Sequence, residues 1–213
     1  MIEEDSAFLA WKKSLQYVKN NGSKFVDTDK RNCIEAQNLK IKICDVKKDI
    51  EKPLNYMRGF KDWFYPSKQE LVSTMFGKEK TPFYGYTYGK RMFNFAKELD
   101  QINDFIIPLL QQNKNSRRAI IGFFNPVVDS KPSSKDVPGL IYIQVRILEN
   151  RVCLNISIRS NDLFFGWPSN LFQLFTLQKY LSEKLGYQTG SLTTISNSAH
   201  IFEEHLVYMS DLL

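Results

Sequence analysis

The sequence predicts a mixed fold, α+β or α/β, in which helices pack on a twisted, mixed sheet. Three observations predict it. Segments 7–20 and 168–185 carry apolar residues at helical spacing, and segment 37–46 alternates apolar with polar residues. Two apolar-rich runs, 141–148 and 151–160, flank Glu149 and Asn150, the pattern of a two-residue hairpin. With 213 residues, 43% of them hydrophobic, the chain can bury one sizeable core, and a single domain over 1–213 is expected.

The elements follow in order. Phe8, Leu9, Trp11, Leu15, Tyr17 and Val18 fall near one face of the first helix, which Asn20-Asn21-Gly22-Ser23 breaks. In the strand at 37–46, Leu39, Ile41, Ile43 and Val46 alternate with Lys40, Lys42 and Asp45. Residues 49–67 are aromatic-rich, and Pro53 and Pro66 predict irregular structure there. A helix is expected from Lys68 with Ser67 as its cap. After the tyrosine-rich tract 83–91, one helix is expected over 92–113, its stripe formed by Phe93, Phe95, Leu99, Ile102, Phe105, Ile106 and Leu109. Pro108 marks a kink or early stop. Residues 119–124 read as a buried strand and 129–137 as a loop. Gly186 closes the helix at 168–185. A short strand over 190–196 precedes His200.

The formal charge of +6 suits an anionic small ligand and equally a solvated lysine face; no basic block or helix demands nucleic acid. Cys33, Cys44 and Cys153 are odd in number and lie at no metal-ligand spacing, so neither a disulfide framework nor a metal site is expected. Nothing resembles a leader or a membrane span, and a cytoplasmic protein without membrane contact is expected.

Two segments carry chemistry. In "NSRRAIIGFFNP", 115–126, Arg117 and Arg118 enter a strand; guanidinium groups pair with phosphate oxygens in bidentate fashion and stay charged. A solvated pair at a strand end is the plainer alternative. In "RSNDLFFGWPSN", 159–170, Arg159 and Ser160 end a hairpin strand, Asp162 follows on a turn, and Gly166 and Pro168 lead into the long helix. A phosphate there would gain from free backbone N–H groups at the helix start. Asn170 offers a donor and an acceptor, which suits a uracil edge. A hairpin end and an ordinary helix cap would look the same.

Together these tracts resemble the thymidylate synthase and dCMP hydroxymethylase superfamily. The resemblance is carried by "YTYGKR" at 86–91, "DQIN" at 100–103, "SRR" and "NP" across 116–126, "VP…Q" at 137–144, "RSNDLFFGWPSN", and "SAHIF" at 198–202. It covers 86–205 closely and 1–85 more loosely. It implies the family's twisted mixed sheet flanked by helices, in a homodimer joined sheet to sheet. It implies that Arg117 and Arg118 reach the phosphate in the partner's site, and that Arg159 and Ser160 bind the same phosphate from within the chain. Asn170 would read a uracil-type base and His200 the sugar, with Asp162, Gly166 and Tyr88 around base and sugar. Arg31 is a further candidate for the phosphate.

The sequence departs from the family where its nucleophilic cysteine belongs: Gly139 stands there, and glycine cannot add to C6 of a pyrimidine. Counting from the hairpin turn puts Cys153 opposite Arg146 and Gly139 opposite Ser160. Cys153 is then about seven residues off, roughly 23 Å at ~3.3 Å each. Phe202 replaces the family's tyrosine. The closing segment expected over folate would lie beyond Leu213, so no cofactor is assigned and folate is not expected. Glu70, Asp162 and His200 are the candidate acids or bases. Three readings stay open: a nucleotide-binding homologue without cysteine-dependent methyl transfer, an enzyme acting on a pyrimidine nucleotide without a cysteine, and a structural dimer. In the last, Trp63, Phe64, Tyr65 or the 83–88 tract would meet a protein partner.

Overall fold

A computed structural model describes residues 1–61, 63–77, 87–134, 136–210 and 212. Seven strands form one mixed sheet. They are β1 (Ile2–Glu4), β2 (Ser23–Val26), β3 (Asn32–Ile43), β4 (Ile120–Gly122), β5 (Leu140–Leu148), β6 (Arg151–Asp162) and β7 (Gln188–Phe202). Their order is β1-β3-β7-β6-β5-β4, with β2 beside β3. The pairs β1–β3 and β6–β7 are parallel and the others antiparallel.

Helix α1 (Ala7–Asn21) is the expected first helix. Ser6 caps it by accepting from the Leu9 N–H, and Trp11 buries its ring and donates from Nε1 to the Leu163 carbonyl, 2.7 Å. The helix thus buttresses the segment just after β6. Helix α7 (Trp167–Leu185) crosses from β6 to the parallel β7. Gly186 ends it at φ 75°, a left-handed conformation that costs glycine least.

The β5–β6 hairpin turns as expected. Glu149 and Asn150 have φ 51° and 57°, Leu148 pairs with Arg151, and Arg146 with Cys153. Counting from the turn fails at the far end. The register shifts by one between Leu140 and Tyr142, so Gly139 meets Arg159 rather than Ser160, with Arg159 N–H donating to the Gly139 carbonyl at 2.9 Å.

Other expectations need correction. Helix α2 (Lys52–Arg58) interrupts the region read as irregular, because Pro53 sits in its first turn, where no N–H is needed. Helix α3 (Lys68–Phe76) begins at the Ser67 cap, as expected. The single helix over 92–113 is three pieces: α4 (Tyr88–Phe93), a π-helical turn (Gln101–Ile106) and α5 (Ile107–Gln112). Between the first two, Ala96 and Lys97 take φ 53° and 66°, and Phe95 and Leu99 exchange backbone hydrogen bonds. Pro108 offers no N–H to the carbonyl four residues earlier, consistent with the widened turn before it. Strand β4 is a three-residue edge strand in which Ile121 is buried and Ile120 exposed. A short helix α6 (Pro126–Asp129) follows. Strand β7 runs through His200 instead of stopping before it, and Asp162 is the last residue of β6 rather than part of a turn.

Buried side chains switch parity at one level across the sheet. Burial passes from Ile156 and Ile158 to Asn161 in β6, from Thr194 and Ser196 to Ala199 and Ile201 in β7, and from Ile41 and Leu39 to Ile34 in β3. Leu39 and Ile158 both pair with Ser196, so the switch is aligned across three strands. Asn38 at φ 56° and the Leu140–Tyr142 irregularity lie at the same level. Such breaks re-aim the side chains beyond them.

Candidate functional site

Beyond the switch, one face of the sheet carries Cys33 and Glu35 of β3, His200 and Phe202 of β7, and Ser160 and Asp162 of β6. Cys33 pairs with Phe202, Glu35 with His200, Asp162 with His200 and Ser160 with Ser198. Five of these six residues can ionise or hydrogen-bond, and they stand at the end of the sheet that also holds Gly139.

Arg159 precedes Ser160 in β6 and is tied to the Gly139 segment. Its Nε donates to the Pro138 carbonyl at 3.1 Å and its Nη2 to Val137 at 2.9 Å. The remaining N–H groups of the guanidinium stay available to an anion. Asn161, between Ser160 and Asp162, is buried and donates from Nδ2 to Ser196 Oγ at 2.9 Å. Its clamp across β6 and β7 joins residues 35 apart in sequence, and no local pattern announces it.

Asp162 Oδ1 accepts from the N–H groups of Phe164 and Phe165, each 3.0 Å. Burial outweighs these bonds and pushes its carboxyl up to about 6. Gly166 donates its N–H to the Asp162 carbonyl, 3.1 Å, and a Cβ on Gly166 would stand only 3.1 Å from that oxygen, so the turn into α7 requires a close approach. Asn170 follows in the first turn of α7, half-buried, and its side-chain amide bonds no described residue. His200 is buried, and its Nδ1 has no partner among the described residues. Burial lowers its imidazole below the ordinary value, leaving the ring neutral at pH 7.

Arg117 and Arg118 are exposed on the loop before β4, two strands across the sheet from β6. Gln144 Nε2 fixes that loop by donating to the Arg117 carbonyl at 2.9 Å, while neither guanidinium has a partner among the described residues. Tyr88 packs edge-on against Phe123, ring centroids 5.5 Å apart, beside β4. Glu70 closes a capping box. It accepts from the Ser67 N–H at 2.7 Å, and that backbone bond holds its carboxyl below the usual range.

Of the three cysteines, Cys33 belongs to the cluster, whereas Cys153 lies toward the other end of the β5–β6 hairpin and Cys44 follows the far end of β3. Cys153 is buried in the hairpin, and a Cβ on Gly190 would fall 2.6 Å from its sulfur. Cys33 and Cys44 donate to the Arg31 carbonyl and to Glu3, and burial first of all raises both thiols above their ordinary value. A Cβ at Gly139 would meet nothing closer than the Ser160 carbonyl at 3.5 Å, an ordinary contact. Nothing steric demands glycine there.

Arg31 joins the cluster from the turn between β2 and β3. Its guanidinium lies 3.2 Å over the Phe202 ring and pairs with Glu204 at 2.5 Å. Trp63 packs on Phe164, Phe165, His205 and Tyr208, and Tyr65 is buried and donates to the Phe165 carbonyl at 2.7 Å. Only Phe64 of that trio is exposed, so these aromatics are mostly core. Residues 83–86 lie outside the described residues. Two clefts of about 720 and 600 Å³ lie at the opposite end of the sheet, around Ser182 and the Glu149–Asn150 turn, and no residue of the cluster lines them. Among the described residues no group of three His, Cys, Asp or Glu side chains could hold a metal, and no helix is long and apolar enough to cross a membrane.

A protein of Methanosarcina barkeri named "Putative thymidylate synthase" is 33% identical over 91% of this chain and 85% of its own length. One of the same name from Methanococcoides burtonii is 31% identical over the same shares. The thymidylate synthase of Bacillus licheniformis is 32% identical over 58% of this chain and 43% of its own. The family profile described as thymidylate synthase matches residues 8–213, and the chain belongs to the thymidylate synthase family.

Proposed function

We propose that the protein binds a pyrimidine nucleotide of the dUMP type and does not carry out cysteine-dependent methyl transfer. The observation that carries this reading is the Arg159 guanidinium, which grips the Val137 and Pro138 carbonyls beside Gly139 and keeps donors free. A phosphate bound there holds the base near a position that has no thiol. Asn170 and the Nδ1 of His200, both without partners among the described residues, supply hydrogen bonds to base and sugar. Ser160 adds a hydroxyl to the phosphate, and Arg117 and Arg118 add charge from a second copy in a homodimer. Bidentate charge-assisted pairing makes Arg159 the costliest contact to lose.

Calorimetric titration with dUMP, UMP and dCMP tests the reading. The expected result is dUMP binding below millimolar, weakened at least about tenfold in Arg159→Ala. Absence of binding by all three nucleotides would sink it.

A second reading rests on Asp162, whose carboxyl sits at about 6 opposite the neutral His200. That pair suits acid–base work on a bound nucleotide without a cysteine. Turnover of a pyrimidine nucleotide that disappears in Asp162→Ala and His200→Ala would favour it; full activity in both variants removes it.

A further inference from the structure

We propose that Glu204 is an internal competitor for Arg31, holding the guanidinium that a nucleotide phosphate would otherwise take, and that it sets the affinity of the site. The inference rests on the nucleotide reading above and adds a residue to it.

Arg31 is presented rather than free to wander. Asp27 Oδ1 accepts its N–H at 2.8 Å, and the Asp27 N–H donates to its carbonyl at 3.0 Å, so the turn fixes its backbone. The guanidinium carbon then lies over Phe202, 3.2 Å from the ring centroid. Phe202 stands edge-on to His200, 5.1 Å between centroids, so this platform adjoins the proposed sugar contact. The charges of both members reach the cluster: burial dominates the shift of Asp162, but Arg31 lowers its carboxyl and Glu204 raises it.

Glu204 occupies Arg31 as an anion would, its Oε1 2.5 Å from Nη2. The side chains are 38% exposed for Arg31 and 58% for Glu204, so a solute can reach the pair, and exposed pairs of this kind are weak. A phosphate offers more charge and more acceptor oxygens to the same fork. Glu203 pairs with Lys24 of β2 at 2.9 Å and tethers the segment Glu203–Met209 independently. Glu204 therefore stays close to Arg31 even when displaced, which keeps its effective concentration high. Until it is displaced, it both blocks Arg31 and repels an approaching anion.

The test is calorimetry at low salt with inorganic phosphate and with dUMP, on the wild type, Glu204→Gln, Glu203→Gln and Arg31→Gln. Glu204→Gln is expected to bind both ligands more tightly, by about three- to tenfold, and Arg31→Gln to bind them more weakly. Glu203→Gln removes the same charge from the same segment and should shift affinity less than about twofold. Equal tightening in Glu203→Gln overturns the proposal, since the effect would then be general charge. Equal dUMP affinity in wild type and Glu204→Gln also overturns it and leaves the nucleotide reading standing. Tighter phosphate binding by Glu204→Gln, with no dUMP binding by either protein, keeps the competition and removes the nucleotide. No binding of either ligand by any of the four proteins removes both.

Discussion

Gly139 has room for a side chain. Its ideal Cβ would touch only the Ser160 carbonyl, at 3.5 Å, so Gly139→Cys should fold with little change in stability. The thiol it introduces lies beside the carbonyls that hold Arg159, and a nucleotide bound to that arginine should shield it. Alkylation of the variant should slow several-fold in saturating dUMP; an unchanged rate would separate Gly139 from the binding site. Asp162 gives a second prediction. Its carboxyl rises from an unfolded value of 3.8 to about 6, so between those values the native state keeps a proton that the unfolded chain has released. Stability therefore falls as pH climbs from about 4 to about 6, and the penalty persists above that. Asp162→Asn keeps an acceptor for the Phe164 and Phe165 N–H groups and removes the charge. It should stabilise the protein by on the order of 2 kcal/mol at pH 8 and by almost nothing near pH 3.5, as read from denaturation midpoints. Arg159, Asn170 and His200 are candidates that motif spacing alone can nominate. Glu204 is not, since its partner Arg31 lies 173 residues away in sequence and no periodicity joins them.

At the scale of elements, what the sequence shows depends on how local the determinant is. The hairpin turn, the Ser67 cap and Gly186 rest on one to four neighbouring residues, and each was readable. The helix expected over 92–113 has the right apolar spacing, yet Leu99 and Phe105 end up at the surface while Ile102 and Ile106 are buried. The Phe95–Leu99 loop and the π-helical turn shift the phase of the stripe, and periodicity alone cannot see a phase shift. The same holds for the irregularity between Leu140 and Tyr142, which moves Gly139 from Ser160 to Arg159. Gln101 makes use of the altered phase. From the π-helical turn its Oε1 accepts the Gly122 N–H at 2.8 Å, and its Nε2 donates to the Gly122 carbonyl at 2.7 Å and to Arg91 at 2.9 Å. It acts as one more strand along the edge of β4, the strand that the Arg117–Arg118 loop enters. Gln101→Ala leaves those backbone groups without partners and should cost about 1–3 kcal/mol. Amide exchange should accelerate at Gly122 and Ile121 and stay unchanged in α7; equal acceleration in α7 would mean that the edge is not a separate unit.

The whole molecule raises the question of charge at the phosphate. Of the proposed phosphate arginines, Arg159 stands at the Gly139 end of β6, with two of its N–H groups already given to Pro138 and Val137. Arg117 and Arg118 stand two strands away, roughly 10 Å by ordinary strand spacing. They are exposed and without partners among the described residues. Ile143, Val145 and Ile147 of β5 are buried. Tyr142 and Leu148 on the alternate positions are exposed, so this face of the sheet is open to a second copy. A face-to-face pair related by a two-fold axis would send each Arg117–Arg118 loop toward the other chain's Arg159. If so, each site draws on two chains, and lesions on different chains can complement one another. Arg118→Ala and Arg159→Ala should each bind dUMP poorly alone. Co-expressed, half of the randomly assembled dimers are mixed, and each mixed dimer holds one site with both lesions and one with neither. About a quarter of all sites should then bind dUMP with wild-type affinity. A monomer, or a dimer whose sites are each built from one chain, gives no such class of sites at any mixing ratio.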